Sequence, residues 1–408
     1  MKVLLIGGGG REHALGWKLA QSPRVRELIS LPGNPGLAEL GPVVEGIDVT
    51  DVGAIAAMAR VHGVDLVVVG PEAPLAAGVA DAMATLGIPV FGPTRAAARL
   101  ESSKAFAKDV MSRAGVPTGA SETFTDHKAA HGYLSGSEGP FVVKADGLAA
   151  GKGVLVTESR ADAESWVDYC LEGGFGDAGT SVIIEEHLDG PEVSVFAVCT
   201  EQGAVALEPA RDYKRLLEGD EGPNTGGMGS YSPVDDLPAG LVDRTMREVI
   251  DPTLTQMRAD GNPFTGFLYA GLVLTDAGPR VLEFNVRLGD PETQAVLPRM
   301  TSDLVDVLEG ATPEWSDMAT VNVVMAARGY PTAPEKGAVI KGLNRVPDDV
   351  IVFHAGTKRE NGKLQVNGGR VLNLVGTGPS VGVAREAAYE AANVVAWPGV
   401  EFRTDIAG

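Results

Sequence analysis

The sequence predicts an α/β fold with an α+β core: an open parallel sheet first, a larger mixed core after it, and a small β-rich unit at the end. Three observations carry that reading. Short apolar runs alternate with helical stretches as far as residue 91, the pattern of parallel strands joined by crossover helices. Paired-strand patterns take over at 190–207. Beyond about residue 320 the chain turns to short strands and turns.

Taken in order, Lys2–Ile6 reads as a buried strand, followed by Gly7-Gly8-Gly9-Gly10 and a helix from about Glu12 to Gln21. Val64–Val69 is the next strand and ends at Gly70-Pro71-Glu72. A helix over Ala76–Leu86 and a strand over Ile88–Phe91 follow. Ligands of open parallel sheets sit at the carboxyl ends of strands, where both the glycine run and Pro71-Glu72 fall. A helix over Glu101–Ala114 stops at Gly115-Val116-Pro117. Short strands are expected at Phe141–Lys144, Val154–Val156 and Ser181–Ile184. Residues 209–233 are polar, glycine-rich and too long for a turn, which marks a functional loop. A helix over 240–260, strands near 267–274 and 280–287, strands at Val350–Phe353 and Val371–Val375, and a terminal helix over Val381–Ala392 complete the chain. The part beyond 320 reads as a separate unit.

Composition excludes several classes. The 408 residues are 44% hydrophobic, too apolar for disorder. The net charge is −20 with no dense Lys/Arg run, which argues against a nucleic-acid partner. Cys170 and Cys199 form no C-x-x-C pair, so two buried thiols in a reducing compartment are expected. The apolar run after Met1-Lys2 is too short for a signal-peptide core, and no run approaches 18 apolar residues, so the cytoplasm is expected and no membrane is.

Four constellations carry chemistry. Gly7–Gly10, at a strand-to-helix turn, offers backbone N–H groups and a helix dipole to an anion. A dinucleotide fingerprint fails because Glu12 stands where its third glycine belongs and no ribose-binding acid ends the second strand. Lys144 on a strand, followed by a glycine loop through Gly151, Lys152 and Gly153, suits a lid over a triphosphate. The Walker pattern fails because no Ser or Thr follows Lys152. Glu185, Glu186 and Glu192 end or follow an apolar strand and could accept from adenine and ribose, or simply be exposed acids. The strongest is Leu282–Glu292. Side chains two apart on a strand share a face, so Glu283, Asn285 and Arg287 form one row, with Phe284 and Val286 opposite. Carboxylate and amide oxygens suit Mg²⁺, and an arginine beside them can clamp a carboxylate or an acyl phosphate. His127 and His131 are four apart but lack the Glu of a metal motif, so a solvated helix face is expected.

Lys144, the glycine loop, Glu185–Glu192 and Glu283-x-Asn285-x-Arg287 resemble the ATP-grasp fold in order and spacing. More closely, the chain resembles the phosphoribosylamine–glycine ligase family. The matching segments are GGREHA at 9–14, PGNPG at 32–36, GPE at 70–72, KADGLAAGKGV at 144–154, GPNTGGMG at 222–229 and EFNVRLGDPETQ at 283–294. HAGT at 354–357 and NGGRVL at 367–372 continue it, so the resemblance spans nearly the whole chain.

The resemblance implies a pre-ATP-grasp N-terminal substrate domain over 1–102, a two-lobed ATP-grasp domain over 103–320 with its small lobe at about 118–188, and a C-terminal domain over 321–408. It implies ATP-dependent joining of glycine to 5-phosphoribosylamine through a glycyl phosphate, with Mg²⁺ or in its place Mn²⁺, in a monomer. The alternatives are another ATP-grasp ligase of purine synthesis and an ATP-binding regulatory module without turnover. Carried over, Lys104, Lys144, Gly151 and Lys152 contact ATP phosphates, and Glu185, Glu186, Leu188 and Glu192 hold adenine and ribose. Lys214 reaches the nucleotide and acts in catalysis with Arg287 and Asp290. Glu283 and Asn285 bind the metal, and Arg287 orients the glycyl phosphate. Gly9, Glu12, His13, Glu72 and Asp290 face the ribosylamine, and Arg370 its phosphate. Two departures stand out. Leu288 replaces the usual aromatic, and the strand Phe267–Leu272 lacks an acid, which weakens the case for a second metal ion.

Overall fold

Val3, Leu4, Leu5 and Ile6 are wholly buried, and their burial fixes where the first strand lies. The computed structural model describes residues 1–148 and 153–408, the side chains of 177 and 178 excepted. Strand β1 (Lys2–Gly7) is an inner strand of a parallel sheet ordered β2–β1–β3–β4, with β2 at Glu27–Pro32, β3 at Leu66–Val69 and β4 at Val90–Phe91. A parallel strand apolar on both faces needs cover on both. Leu4 and Ile6 share a core with Val281, Phe284 and Val286. Val3 and Leu5 share another with Phe196, Phe267 and Leu304. The N-terminal sheet is therefore packed into the rest of the molecule on each side.

The helix after the glycine run spans Gly10–Leu19, two residues earlier than expected at each end. No hydroxyl caps it. Instead Glu12, in its first turn, accepts the Gly9 N–H at 2.6 Å. The helix expected over Ala76–Leu86 is two, Glu72–Ala77 and Val79–Thr85, broken at Gly78 with φ +95°. The helix expected over Glu101–Ala114 is also two, Arg99–Ser102 and Lys104–Ala114. Extended Ser103 separates them, and its Oγ accepts the Phe106 N–H at 3.2 Å.

A small lobe follows, an antiparallel sheet ordered β5–β8–β6–β7: β5 Ser121–Phe124, β6 Phe141–Ala145, β7 Val154–Thr157 and β8 Val182–Glu185. It has its own core, in which Phe141, Val143 and Ile184 meet Ala130 and Leu134 of helix His127–Ser135 and Val167 of helix Arg160–Tyr169. The larger lobe is the antiparallel sheet β10–β9–β15–β16, with β9 at Glu192–Thr200, β10 at Gly203–Ala206, β15 at Gly266–Thr275 and β16 at Gly278–Asn285.

Residues 209–233 are not the single loop expected. They hold β11 (Arg211–Asp212), a hairpin of β12 (Arg215–Leu217) and β13 (Glu221–Asn224), and β14 (Gly229–Ser232). After helical residues from Leu241 to Ala259 come β15 (Gly266–Thr275) and β16 (Gly278–Asn285), paired with Tyr269 opposite Asn285 and Gly271 opposite Glu283. The final sheet runs β11–β14–β17–β21–β18, with β22 also on β17. Here β17 is Ala319–Ala327, β18 Ile351–His354, β21 Arg370–Gly378 and β22 Val400–Glu401, while β19 (Thr357–Glu360) and β20 (Lys363–Val366) form a hairpin. Helix Val381–Val394 packs across β21 and β17. The C-terminal β-rich unit extends its sheet onto the preceding segment: β14 pairs with β17 from Gly229–Val323 to Ser232–Thr320. Among the described residues, no helix is long and apolar enough to cross a membrane.

Candidate active site

The last residues of β16 project from the large lobe toward the small one. Phe284 and Val286 are buried in the core, and the alternate side chains form the expected row. Asn285 Nδ2 donates to Glu283 Oε1 at 3.4 Å, and Arg287 Nη2 donates to Asn285 Oδ1 at 3.0 Å. Arg287 lies just past the end of the strand but keeps its side. Burial pushes the Glu283 carboxyl up, and Lys214, Lys144 and Lys104 together outweigh it, so the group is held below its ordinary value. Glu283 thus sits among three lysines, two of which also pair with other acids, Lys144 with Glu185 and Lys214 with Glu192.

The lysines come from three segments. Lys144 on β6 forms a close ion pair with Glu185 at the end of β8, and Lys108 Nζ reaches the other Glu185 oxygen at 2.8 Å. Both carboxylate oxygens of Glu185 are therefore engaged. Lys104 Nζ donates to the Gly147 carbonyl at 3.0 Å, and burial lowers its pKa against the pull of Glu283. Lys214 pairs closely with Glu192, and Asp212 and Glu192 drive its pKa well up despite burial. Glu186 is exposed, accepts the Ala120 N–H at 3.0 Å and pairs with Arg280 at 2.9 Å. The partly exposed Leu188 lies beyond it. Gly151 and Lys152, with Ala149 and Ala150 before them, lie outside the described residues.

Beyond the row, Arg287 lies between two acids: Nη2 is 3.0 Å from Glu101 and Nε 3.3 Å from Glu72, while Nη1 donates to the Leu288 carbonyl at 3.3 Å. Burial raises Glu101 to about 7. Burial also pushes Glu72 up, but Arg287 and Arg11 outweigh it and lower it overall. Asp290 pairs with Arg370 at 3.0 Å and accepts from Gln294 Nε2 at 2.8 Å; burial is again overcome, here by Arg370 and Arg11. Arg370 also donates to the Gly226 carbonyl at 2.5 Å, tying the C-terminal domain to the GPNTGGMG segment.

On the N-terminal side the glycine run meets the same acids. A Cβ on Gly9 would lie 2.7 Å from Glu12 Oε2 and 3.5 Å from Asp290 Oδ2. Glu12 itself has both oxygens occupied, by the Gly9 N–H and by Arg11 Nε at 2.6 Å, so it shapes the loop from behind. His13 uses Nδ1 to accept the His354 N–H at 2.7 Å, and burial lowers its pKa to about 3. Asn34 donates to the Gly8 and His354 carbonyls at 3.0 and 2.9 Å, locking the PGNPG and HAGT segments together.

Glu12, Glu72, Asp290, Arg287 and Arg370 therefore gather at one end, and Lys104, Lys144, Lys214, Glu283 and Asn285 at the other. Glu186 stands at the margin. Sequence reasoning missed Asp212 and Glu101. Asp212 is half-buried close to Lys214, and desolvation with Glu292 and Glu192 nearby raises it to about 7. A charged pair, Asp212 and Lys214, opening the long polar segment was the available signal. His127 and His131 lie on a partly solvated helix face, as expected. Both rings meet Asp168, at 2.7 and 3.0 Å, because helix Arg160–Tyr169 packs beside theirs. Cys170 and Cys199 are free and buried, as expected.

Glu283 and Asn285 fit a divalent cation. The donors are hard oxygens, the carboxylate stays charged, and Mg²⁺ ordinarily takes few protein ligands plus phosphates.

Comparison with known proteins gives three consecutive matches: to the N domain of phosphoribosylglycinamide synthetase over 1–101, to its ATP-grasp (A) domain over 102–293 and to its C domain over 320–408. A phosphoribosylamine–glycine ligase of Rhizobium meliloti is 49% identical over 414 residues, covering 100% of this chain and 98% of the relative. The crystal structure of a phosphoribosylamine–glycine ligase from Thermotoga maritima superposes with a TM-score of 0.86 at 36% identity, covering all of both chains. A biotin carboxylase domain from Hydrogenobacter thermophilus, solved with MgADP, shares the fold at a TM-score of 0.75 and 17% identity, over 98% of this chain and 91% of that one.

Proposed function

The chain belongs to the phosphoribosylglycinamide synthetase family, and from that premise we propose how its residues divide the reaction. The protein is a ligase that joins glycine to 5-phosphoribosylamine at the expense of ATP in purine synthesis. A carboxylate resists nucleophiles, so a glycine carboxylate oxygen first takes the γ-phosphoryl group and ADP leaves. The ribosylamine nitrogen then attacks the carbonyl carbon of glycyl phosphate, the C–O bond to phosphate breaks, and the nitrogen gives up a proton. Glycinamide ribonucleotide and phosphate result.

Lys104, Lys144 and Lys214 neutralise the triphosphate, with Gly151 and Lys152 over it. Glu185, Glu186, Leu188 and Glu192 receive adenine and ribose, which requires Glu185 to share its lysines with the nucleotide. Glu283 and Asn285 hold Mg²⁺, for which Mn²⁺ can substitute; when bound, the ion draws charge from the phosphate oxygens. Arg287 clamps the glycine carboxylate and then the acyl phosphate, a planar fork against a planar anion. Glu72 and Asp290 take the ribosylamine, Gly9 and the glycine run approach it through backbone N–H groups, Glu12 and His13 hold that run in shape, and Arg370 meets the phosphate. Positioning and charge neutralisation supply most of the acceleration. We further propose a cytoplasmic monomer with domains at 1–102, 103–320 (small lobe about 118–188) and 321–408.

The observation that carries this division is the row of Glu283, Asn285 and Arg287, hydrogen-bonded in sequence along one face. The experiment is phosphate release from Mg-ATP with glycine, with and without phosphoribosylamine. Release that needs glycine and rises with the amine is expected. Release independent of glycine overturns the assignment.

A further inference from the structure

We propose that Glu101, from the helix joining the N-terminal domain to the core, is a positioning residue that aims Arg287 at glycine. The inference rests on the role of Arg287 given above. One Glu101 oxygen accepts the Val286 backbone N–H at 2.8 Å, and the other lies 3.0 Å from Arg287 Nη2. A single carboxylate thus fixes both the turn that carries Arg287 and the guanidinium itself. Its side chain is 8% exposed, whereas that of Glu72, the other acid on the same guanidinium, is 29% exposed.

The division of contacts follows from the donor inventory. Nη2 donates to Asn285 Oδ1 and stands 3.0 Å from Glu101 in an ion pair, so both of its neighbours lie on the buried side. The contacts at Nε and Nη1, to Glu72 and to the Leu288 carbonyl, are longer, at 3.3 Å each. These are the hydrogens an incoming anion can take over. Glu101 is the fixed partner from below, and Glu72 the partner that can be exchanged on the open side. Without the Glu101 charge, Glu72 is the ion-pair partner left within 4 Å of Arg287, which is then drawn toward Glu72 and away from glycine.

The test is Glu101→Gln, whose amide oxygen still accepts the Val286 N–H while the charge is gone. The expected result is a fall of about tenfold or more in kcat/KM for glycine, carried mostly by KM, with the ATP dissociation constant within about twofold of wild type. In an Arg287→Ala background the same substitution should change kcat/KM for glycine by less than about twofold, because the group it positions is absent. Glu101→Asp, which keeps the charge on a shorter stem, should show an intermediate loss that also vanishes in the Arg287→Ala background, and it carries the test if the Gln variant does not fold. Equal losses in both backgrounds, or a parallel loss of ATP affinity, overturn the proposal and leave the role of Arg287 standing. An Arg287→Ala variant with wild-type glycine kinetics overturns both.

Discussion

Gly70→Ala adds one methyl group, yet the structure predicts a large effect. The new Cβ would lie 2.2 Å from Glu12 Oε1, 2.4 Å from its Cγ and 2.6 Å from its Cδ. Gly70 cannot easily retreat, because its N–H donates to the Ile6 carbonyl at 2.9 Å. Nor can Glu12, which is 2% exposed and holds the Gly9 N–H and Arg11 Nε, each at 2.6 Å. Overpacking costs about 1–3 kcal/mol, and losing a hydrogen bond to a charged group about 1.5–3 kcal/mol. The expected sum is about 3–5 kcal/mol. Urea unfolding of wild type, Gly70→Ala, Glu12→Ala and the double variant measures it. With the Glu12 side chain removed, the methyl group has room, so its cost should fall below about 1 kcal/mol. A loss under about 1 kcal/mol in the wild-type background, or the same loss with and without Glu12, would refute the reasoning.

Glu283→Gln should abolish most turnover while unfolding remains near wild type, since shape is kept and the charge facing three lysines is lost; normal turnover with normal Mg²⁺ dependence would count against the metal assignment. Arg287→Lys should not rescue Arg287→Ala, because an ammonium cannot replace contacts at Nε, Nη1 and Nη2. The expected loss is about 3 kcal/mol, roughly a hundredfold in kcat/KM for glycine, and near-complete rescue would show that charge alone suffices. Stability should fall on acidification below about pH 6.5, because burial holds His13 near 3 and His354 near 4 while the unfolded chain protonates both at their ordinary value. This histidine contribution is whole above 6.5, declines through the window at up to about 1.4 kcal/mol per pH unit for each group and levels off below 3. His13→Asn, which keeps an acceptor for the His354 N–H but cannot titrate, should flatten the slope; equal slopes in urea unfolding between pH 4 and 7 would refute the cause.

The row Glu283, Asn285, Arg287 was legible because a strand's two-residue period is read directly from sequence, and Phe284 and Val286 confirm it by their burial. Strands such as β1, β3 and β6 were legible instead as short apolar runs, while β5 and the fully buried β17 were not anticipated. Helix breaks at Gly78 and Ser103 were not, since apolar spacing continues across both. Glu101 and Asp212 escaped because their meaning depends on partners far away in sequence. Glu101 meets Arg287 and Val286 across 185 positions or more, and nothing local marks it. Asp168 met His127 and His131 through helix packing that periodicity does not encode. The internal use of Glu12 was hidden too: the motif announces the residue, while only the cradle of Gly7 and Gly70 shows what its carboxylate does.

Strand β14 has a consequence for how such chains can be recombined. Ser230 and Asn322 are 92 positions apart yet sit opposite each other in one ladder, and Asn322 donates on to the Pro291 carbonyl at 3.1 Å. A chimera spliced near residue 320 would take β17 from one parent and its hydrogen-bonded neighbour from the other. Four residue pairs of backbone register, and the buried amide contacts behind them, would have to match between strangers. A terminal domain traded without residues 211–232 would arrive with a bare strand edge, an invitation to misassembly. The exchangeable unit of this architecture is therefore discontinuous: the terminal domain together with the ribbon that lies beside it in space but not next to it in sequence.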